Sequence, residues 1–584
     1  MVKNGVRTRT TGFMALLVAL LLVLAGCGAP QEQTDATTDD EVTEASADET
    51  TDADDAETAA VSGDVGGTAE EAAEYDRALS GQGLVNTFLA GQFYDQAVED
   101  EDDADAAVAS VIDRLGADET TILQALEVRP TETGTTYYTF RQWAGDVMVH
   151  GASVKLVVDK DHKVCGLVSS ILPDVQIEDV DDWDITAEQA EQVVSEKVAS
   201  DGYDGVRVVS GATEQTLIAL GDGSAYQRYA WVVYTDNYLE DVDAGCVAHY
   251  VNAGGEYLYG IPVSEPGNAD ALAGDEANFD FGAMDEGTWS GTVEKADGST
   301  MDIEVPVLID PDTGDAILAD AKRKILCVDY AKFKYDDKIV PRMGSDEGFD
   351  SLELIIYDTF IKVWDFYDGI GWTGPDDEGT PSLLMMDSVT PDGEVVQNAS
   401  YNGRQYGFQT FAFNRLDSDG ECYDIMAHEF THCVTSTTMT TNLYINDCGA
   451  INEGMSDILG NLFEMMVAYE EDGAWVIGEN EGEHPIRSMS DPHAYGQPEF
   501  AWDAYYGPEV SEGTVANDLG GVHINSSLLN RVSYQLGQAG MSDEDQFYFW
   551  MNVALALTPS TDYPQIAELL PWCMEQSGYE QYVD

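Results

Sequence analysis

Two histidines four residues apart constrain this chain more than any other feature. The stretch Asp424 to Asp457 reads DIMAHEFTHCVTSTTMTTNLYINDCGAINEGMSD. On a helix, His428 and His432 share one face, where both imidazoles can hold the same metal ion. Glu429 follows the first histidine and completes the H-E-x-x-H pattern of a zinc site. Glu453 and Asp457 repeat the four-residue spacing on a second helical stretch. A catalytic zinc takes three protein ligands and keeps one position open. Glu453 is the candidate third ligand. Asp457 is the candidate acceptor for the free ring N–H of a zinc-bound histidine, fixing its tautomer.

The segments HEFTH and GAINEGMSD resemble those of the thermolysin (bacillolysin) family of secreted zinc endopeptidases. Further family motifs occur in order. Asp518-Leu-Gly-Gly-Val-His523-Ile-Asn-Ser matches the second active-site segment, Arg487-Ser-Met-Ser-Asp-Pro the arginine motif, and Asn398-Ala399 the substrate-binding pair. Tyr444 precedes Glu453 by the family's spacing. The resemblance runs from about Thr288 to the C-terminus. It implies an α+β, two-lobed catalytic domain, with a β-rich N-lobe over 289–445, a helical C-lobe over 446–584 and zinc in the cleft.

Roles follow from the same resemblance. Zinc on His428, His432 and Glu453 acidifies a bound water and polarises the scissile carbonyl. Glu429 is the proton carrier. His523 and Tyr444 match the donors to the developing oxyanion, and Asp518 the carboxylate that orients His523. Asn398, Ala399 and Arg487 match the residues that grip the substrate backbone. Ile425 and Ile486 match apolar pocket positions, so cleavage before bulky apolar residues is expected. Ser400 departs from the large aromatic residue often found there, though Tyr401 follows. Asp424, Glu464 and Glu479 fall where the family carries calcium carboxylates. Ala474 and Val476 replace acids of the double site, which implies one calcium, with Asp472 as a substitute ligand. Plain surface charge is the other reading of these acids.

The N-terminus carries Lys3, Arg7 and Arg9 before an apolar run from Phe13 to Ala25, shorter than the about 20 residues of a membrane-spanning helix. The run ends Leu24-Ala25-Gly26-Cys27, which resembles a lipobox with Cys27 as the lipidated residue. An ordinary signal peptide or an uncleaved anchor is the alternative. The expectation is export, with a lipid anchor at the outer membrane face or release after processing. Residues 31–75 hold 16 acidic residues and no Lys or Arg. Such a segment cannot bury apolar area and reads as an extended tether (28–75). The formal net charge is −84; setting aside +3 from residues 1–30 and −16 from residues 31–75 leaves −71 on residues 76–584. That argues against nucleic acid as a partner and favours neutral or basic peptide substrates.

Between Tyr75 and Ser264 the pattern is α+β without a catalytic constellation. Thr136–Arg141 reads as a strand. Val154, Leu156 and Val158 alternate into the turn Asp159–His162, and Val164–Val168 returns as a hairpin. Thr186 and Gln189 form a capping box for a helix through Val198. Strands follow at Arg228–Tyr234 and Ala248–Asn252. These segments resemble, more loosely, a fungalysin/thermolysin-type propeptide (76–180) and a PepSY-like module (181–264). The resemblance implies a zymogen whose propeptide is chaperone and inhibitor, removed through an accessible linker at 265–288. His150, His162 and His249 read as surface or core residues.

Besides Cys27, seven cysteines remain, an odd number with no C-x-x-C. Export permits disulfides, but Cys433, next to a zinc ligand, reads as a buried free thiol. Two functions compete. One is a monomeric, zymogen-type zinc endopeptidase acting on extracellular proteins and peptides. The other is a non-catalytic surface protein that keeps the fold for binding. All residues that a degenerate member would shed first are present, which favours the enzyme.

Overall fold

Alternation along two long strands sets how the N-terminal third meets the rest of the chain. The computed structural model describes residues 84–583, apart from 118–120, 132–133, 174, 176–182, 202–205, 210–211, 221–225, 237–245, 264–278, 296–297, 337, 345–347, 390–397, 414–421, 440–442, 468–474, 479–484, 502, 509 and 511–516. The lipobox, the acidic tether, Asp472, Ala474 and Glu479 therefore lie outside the described residues. The N-terminal module contains β1 (Val85–Ala90), α1 (Glu101–Ala109), β2 (Ile122–Pro130), β3 (Thr136–Ala144), β4 (Val147–Val158), β5 (Val164–Ile171), α2 (Ala187–Ser200), β6 (Arg207–Val208), β7 (Glu214–Leu220), β8 (Tyr226–Asp236), β9 (Cys246–Asn252) and β10 (Tyr257–Val263). All ten strands join one sheet, with the path β1-β5-β4-β7-β8-β9-β10 and β2-β3 branching from β4. The two modules read separately in the sequence are thus one sheet, joined where β4 meets β7 in parallel.

On β4, Val154, Leu156 and Val158 turn to one face and pack with Ala104, Ala107 and Val108 of α1. Val157, on the other face, joins Tyr137 and Val168 in the main core of the C-terminal helices. Period-2 alternation thus gives the sheet one face for its own helix and one for its neighbour. The capping box at Thr186 and Gln189 starts α2 as the spacing predicts.

The next lobe begins earlier than expected. β11 (Asp285–Glu294) starts inside the stretch read as linker, and Phe279 and Phe281 already pack against the lobe's core. β11 pairs with β12 (Thr300–Ile309), and β12 with β13 (Ala316–Ile317). A five-stranded sheet follows, ordered β14 (Ala319–Asp320), β15 (Ile325–Asp329), β16 (Ser382–Met386), β18 (Phe408–Phe413), β17 (Ser400–Gln405). β17 is an edge strand of this sheet. The short α3 (Tyr330–Lys334) and the long, mostly buried α4 (Ser351–Gly369) complete the lobe.

The remainder is helical: α5 (Tyr423–Met439), α6 (Asn446–Val467), α7 (Asp518–Asn525), α8 (Ser527–Gln538), α9 (Asp543–Ala556) and α10 (Tyr563–Gln576), with a small ladder of β19 (Val476–Ile477) and β20 (Arg487–Ser488). Ser542 caps α9 by accepting the Asp545 N–H, as expected. Helix α10 was not anticipated; Pro564 opens it and Pro571 lies within it. The result is an α+β chain with a β-rich lobe and a helical lobe, and α5 running against both. Among the described residues no helix is long and apolar enough to cross a membrane.

Candidate active site

The site rests on how closely α5 and α6 approach. A Cβ on Gly460 would meet the Asp424 carbonyl oxygen at 2.5 Å and the His428 nitrogen at 3.1 Å, so only glycine lets the helix backbones come this near. Both helices are buried over nearly their whole length. The four-residue spacings then aim His428 and His432 of α5 at Glu453 of α6.

The two Nε2 atoms are 3.0 Å apart, at angles that turn both rings toward the same point. Glu453 Oε1 lies 3.3 Å from His432 Nε2, and Glu453 Oε2 lies 3.6 Å from His428 Nε2. One ligand atom from each residue falls within 4.8 Å of the other two. Glu453 is fully buried, yet its Oε2 has no hydrogen-bond partner. A buried carboxylate oxygen left in this way is costly unless something else fills the place. Two imidazole nitrogens and one carboxylate oxygen, converging in a buried niche, are the donor set of an open zinc site. The residues fit the metal.

Each ligand is held from behind. His432 Nδ1 lies 2.8 Å from Asn452 Oδ1 and 3.2 Å from Ser456 Oγ. His428 Nδ1 lies 3.0 Å from Asp457 Oδ1 as a charge-pair contact. Asp457 also faces Arg487 Nη2 at 3.0 Å and accepts from Asn530 Nδ2 at 2.7 Å. Burial alone would raise the Asp457 carboxyl; the Arg487 charge, aided by His428, instead holds it below the usual range. Burial likewise works against Glu453, but His523, His432 and His428 outweigh it and hold Glu453 well below an ordinary glutamate. His432 shows the reverse: burial lowers it, and Glu453 pulls it up to about 9.

The second active-site segment is shaped by its glycines. Asp518 and Leu519 have φ of 50°, followed by Gly520 at 88° and Gly521 at 80°, before the helical turns of α7. A Cβ on Gly520 would strike Asn446 Oδ1 at 1.9 Å. This left-handed run folds Asp518 back over the helix start, a strained device of the kind found at working sites. Asp518 Oδ1 then lies 2.6 Å from His523 Nδ1, while Oδ2 accepts the His523 and Ile524 N–H groups. The opposite nitrogen, Nε2, points at Glu453 Oε2 across 3.6 Å.

Tyr444 is buried and its hydroxyl donates to Glu453 Oε1. Glu429 Oε2 accepts the Tyr401 backbone N–H at 2.8 Å, which ties the edge strand β17 to the motif. Ala399, buried, and Asn398, partly buried, lie immediately before that strand. His428, His432, Glu453, Asp457, Arg487, Tyr444, Asp518 and His523 are thus one connected group, and Glu429 faces β17. Asp424 is buried on α5 and accepts the Gly478 N–H at 2.5 Å; Glu464 is buried on α6. The third calcium candidate, Glu479, is not described. Among the described residues Cys165, Cys327 and Cys573 are free thiols, and Cys433 is fully buried. Asn452, Ser456 and Asn530 were missed in the sequence. Asn452, immediately before Glu453, was findable from the need of a second histidine for its own ring acceptor.

Comparison with known proteins agrees with this geometry. Residues 442–577 match the family model described as thermolysin metallopeptidase, alpha-helical domain. A bacillolysin of Bacillus caldolyticus is 30% identical over 250 residues, covering 38% of this chain and 42% of the relative. A thermolysin of Alicyclobacillus acidocaldarius subsp. acidocaldarius is 31% identical over 251 residues, with the same coverage. A zinc metalloproteinase of Renibacterium salmoninarum is 37% identical over 165 residues, or 27% of this chain and 29% of the relative. The matched region thus spans less than half the length of these relatives. A lobed α+β fold with a buried His-His-Glu cluster at its helical part defines a metallopeptidase-like class. Within that class, residues 442–577 are similar to the helical domain of the thermolysin metallopeptidases.

Proposed function

We propose that this protein is a zinc-dependent endopeptidase of thermolysin type, made as a zymogen and acting on proteins and peptides outside the cell. The observation that carries the proposal is the convergence of His428, His432 and Glu453 within 4.8 Å, ringed by Asp457, Arg487, Tyr444 and the Asp518–His523 pair. His428, His432 and Glu453 would hold zinc, which when bound supplies the Lewis acidity that polarises a peptide carbonyl and acidifies water. Glu429, with one oxygen held by the Tyr401 N–H, takes a proton from the attacking water and hands it to the leaving amine. His523 donates to the carbonyl oxygen as that atom gains charge, and Asp518 stabilises the ring in its charged, donating form. Tyr444, whose hydroxyl donates to Glu453 Oε1, is the second donor to that carbonyl oxygen.

β17 is an edge strand, the kind of element along which an extended peptide adds, with Asn398 and Ala399 at its start. Arg487 reaches toward Glu453 as well as Asp457, near enough to the site to grip substrate backbone. Ile425 and Ile486 are the apolar pocket residues, so cleavage before bulky apolar side chains is part of the proposal. So is a single calcium at Asp424, Glu464 and Glu479, supported by two buried carboxylates on the touching helices α5 and α6. Residues 84–263 belong to the pro-region (76–264), and Cys27 carries the lipid anchor.

The test is hydrolysis of quenched peptides by residues 28–584, with Glu429→Gln as control. The reading expects activity that vanishes in the variant, and cuts in a peptide library clustered before large apolar residues. Cleavage beside acidic or small residues would sink the preference. Zinc bound with no hydrolysis, even after the pro-region has been cut away, would favour the binding-protein alternative.

A further inference from the structure

The face of β4 that meets the catalytic helices carries one charged side chain, Lys155, at a central position. It stands in the run Val154-Lys-Leu-Val-Val, with Val157 beside it on the same face. Its side chain is 2% exposed. The Nζ donates to the Thr438 carbonyl at 2.5 Å and to the Leu555 carbonyl at 2.8 Å. Both acceptors lie in the last turn of a helix: Thr438 on α5, which bears His428 and His432, and Leu555 on α9. Carbonyls at a helix C-terminus lack an intrahelical partner and carry the negative end of the dipole. For Leu555 the gap is built into the sequence, because the residue four further on is Pro559, which has no N–H.

The surrounding contacts are also between the module and these helices. Ser170 Oγ lies 2.7 Å from Thr558 Oγ1, Gln565 Nε2 donates to the Ser169 carbonyl, and the Trp572 indole donates to the Cys165 carbonyl. The Trp572 ring fits against Gly166, where a Cβ would meet it at 2.5 Å. Each of these contacts reaches one helix or the turn between two. Lys155 alone among them joins the ends of two.

We propose that Lys155 is a removable helix cap, the pin by which residues 84–263 dock on the catalytic part and hold the ends of α5 and α9 together. The inference rests on reading residues 84–263 as the pro-region. When the module leaves, water can satisfy the Thr438 and Leu555 carbonyls. When it is docked without the lysine, both are buried with no donor, which is the expensive arrangement. Burial lowers Lys155 to about 7, with Glu127 pulling up and Arg129 pushing down. The amino group keeps N–H donors in either protonation state, so the cap does not depend on its charge.

The experiment uses the full chain with a site-specific protease site inserted after Asp270, cut in solution. Release of the N-terminal piece and the rise of quenched-peptide hydrolysis are followed together. Lys155→Met is compared with wild type and with Lys163→Met, which removes the same charge at an exposed position. The expected result is release about 10- to 100-fold faster in Lys155→Met only, with hydrolysis rising in step. Release at the wild-type rate overturns the cap. If Lys155→Met does not accumulate as folded chain, Lys155→Gln is read in the same way; it is too short to reach both carbonyls, and a wild-type rate for it also overturns the cap. A cut wild-type piece that leaves at once, or leaves without any change in hydrolysis, overturns the pro-region reading itself, whatever Lys155 does.

Discussion

Replacing Asp457 by asparagine keeps the shape of the side chain and removes its charge. Three contacts are affected: His428 Nδ1 and Arg487 Nη2, each 3.0 Å from Oδ1, and the Asn530 amide, 2.7 Å from Oδ2. If the new amide keeps its oxygen toward His428 and Arg487, its NH2 group meets the NH2 of Asn530. That conflict has a cheap remedy, because Asn530 Oδ1 has no hydrogen-bond partner and a turned Asn530 amide would accept. The remaining loss is electrostatic. The His428 ring loses the carboxylate that makes it a stronger ligand, and such losses weaken metal binding about 10- to 100-fold. Arg487 is buried and loses its nearest counter-charge; Glu453, 3.8 Å away, compensates in part. A cost of about 3 kcal/mol in the metal-free protein follows, at the low end for breaking a buried pair. The assay is zinc competition against a chromogenic chelator in a Glu429→Gln background, with urea unfolding of the metal-free protein. Unchanged zinc affinity would refute the assignment of Asp457 as the residue that orients His428.

Three further outcomes are expected. Gly460→Ala drives a methyl into two backbone positions of α5, so it should destabilise the protein by about 1–3 kcal/mol in urea unfolding; an unchanged midpoint would mean that the two helices are not held this close. His523→Ala should lower kcat about 10²- to 10³-fold while zinc content and KM stay near wild type; a change confined to KM would assign His523 to binding alone. In the metal-free site Glu453 holds a proton on His432 up to about pH 9, and zinc must displace it. Zinc affinity should therefore climb about tenfold per pH unit toward that value and flatten above it, and a flat profile across neutral pH would contradict the pairing.

The metal ligands were legible because a helix converts spacing into direction. His428 with His432, and Glu453 with Asp457, each needed only the four-residue rule. The hairpin of β4 and β5, the Thr186 capping box and the Ser542 cap were legible for the same kind of local reason. What was not legible depends on contacts distant in sequence. Tyr401 reaches Glu429 through its backbone N–H, which leaves no mark on residue identity. Asn530 meets Asp457 from 73 positions away. The start of the N-lobe was set too late because the Gly- and Asp-rich composition near Asp285 hides a strand whose register is fixed by its partner β12. Helix α10 was hidden by two prolines, one of which is tolerated in its first turn. The union of ten strands in one sheet was hidden because it depends on one short parallel contact, from Met148 and Val149 to Thr216 and Leu217.

The measurement that bears most directly on the central claim is peptide hydrolysis by one sample in three conditions: as purified, after removal of metal by a chelator, and after zinc is returned in equal molar amount. The account expects activity, then none, then recovery. Hydrolysis that continues undiminished in the chelated sample would contradict a reaction built on His428, His432 and Glu453.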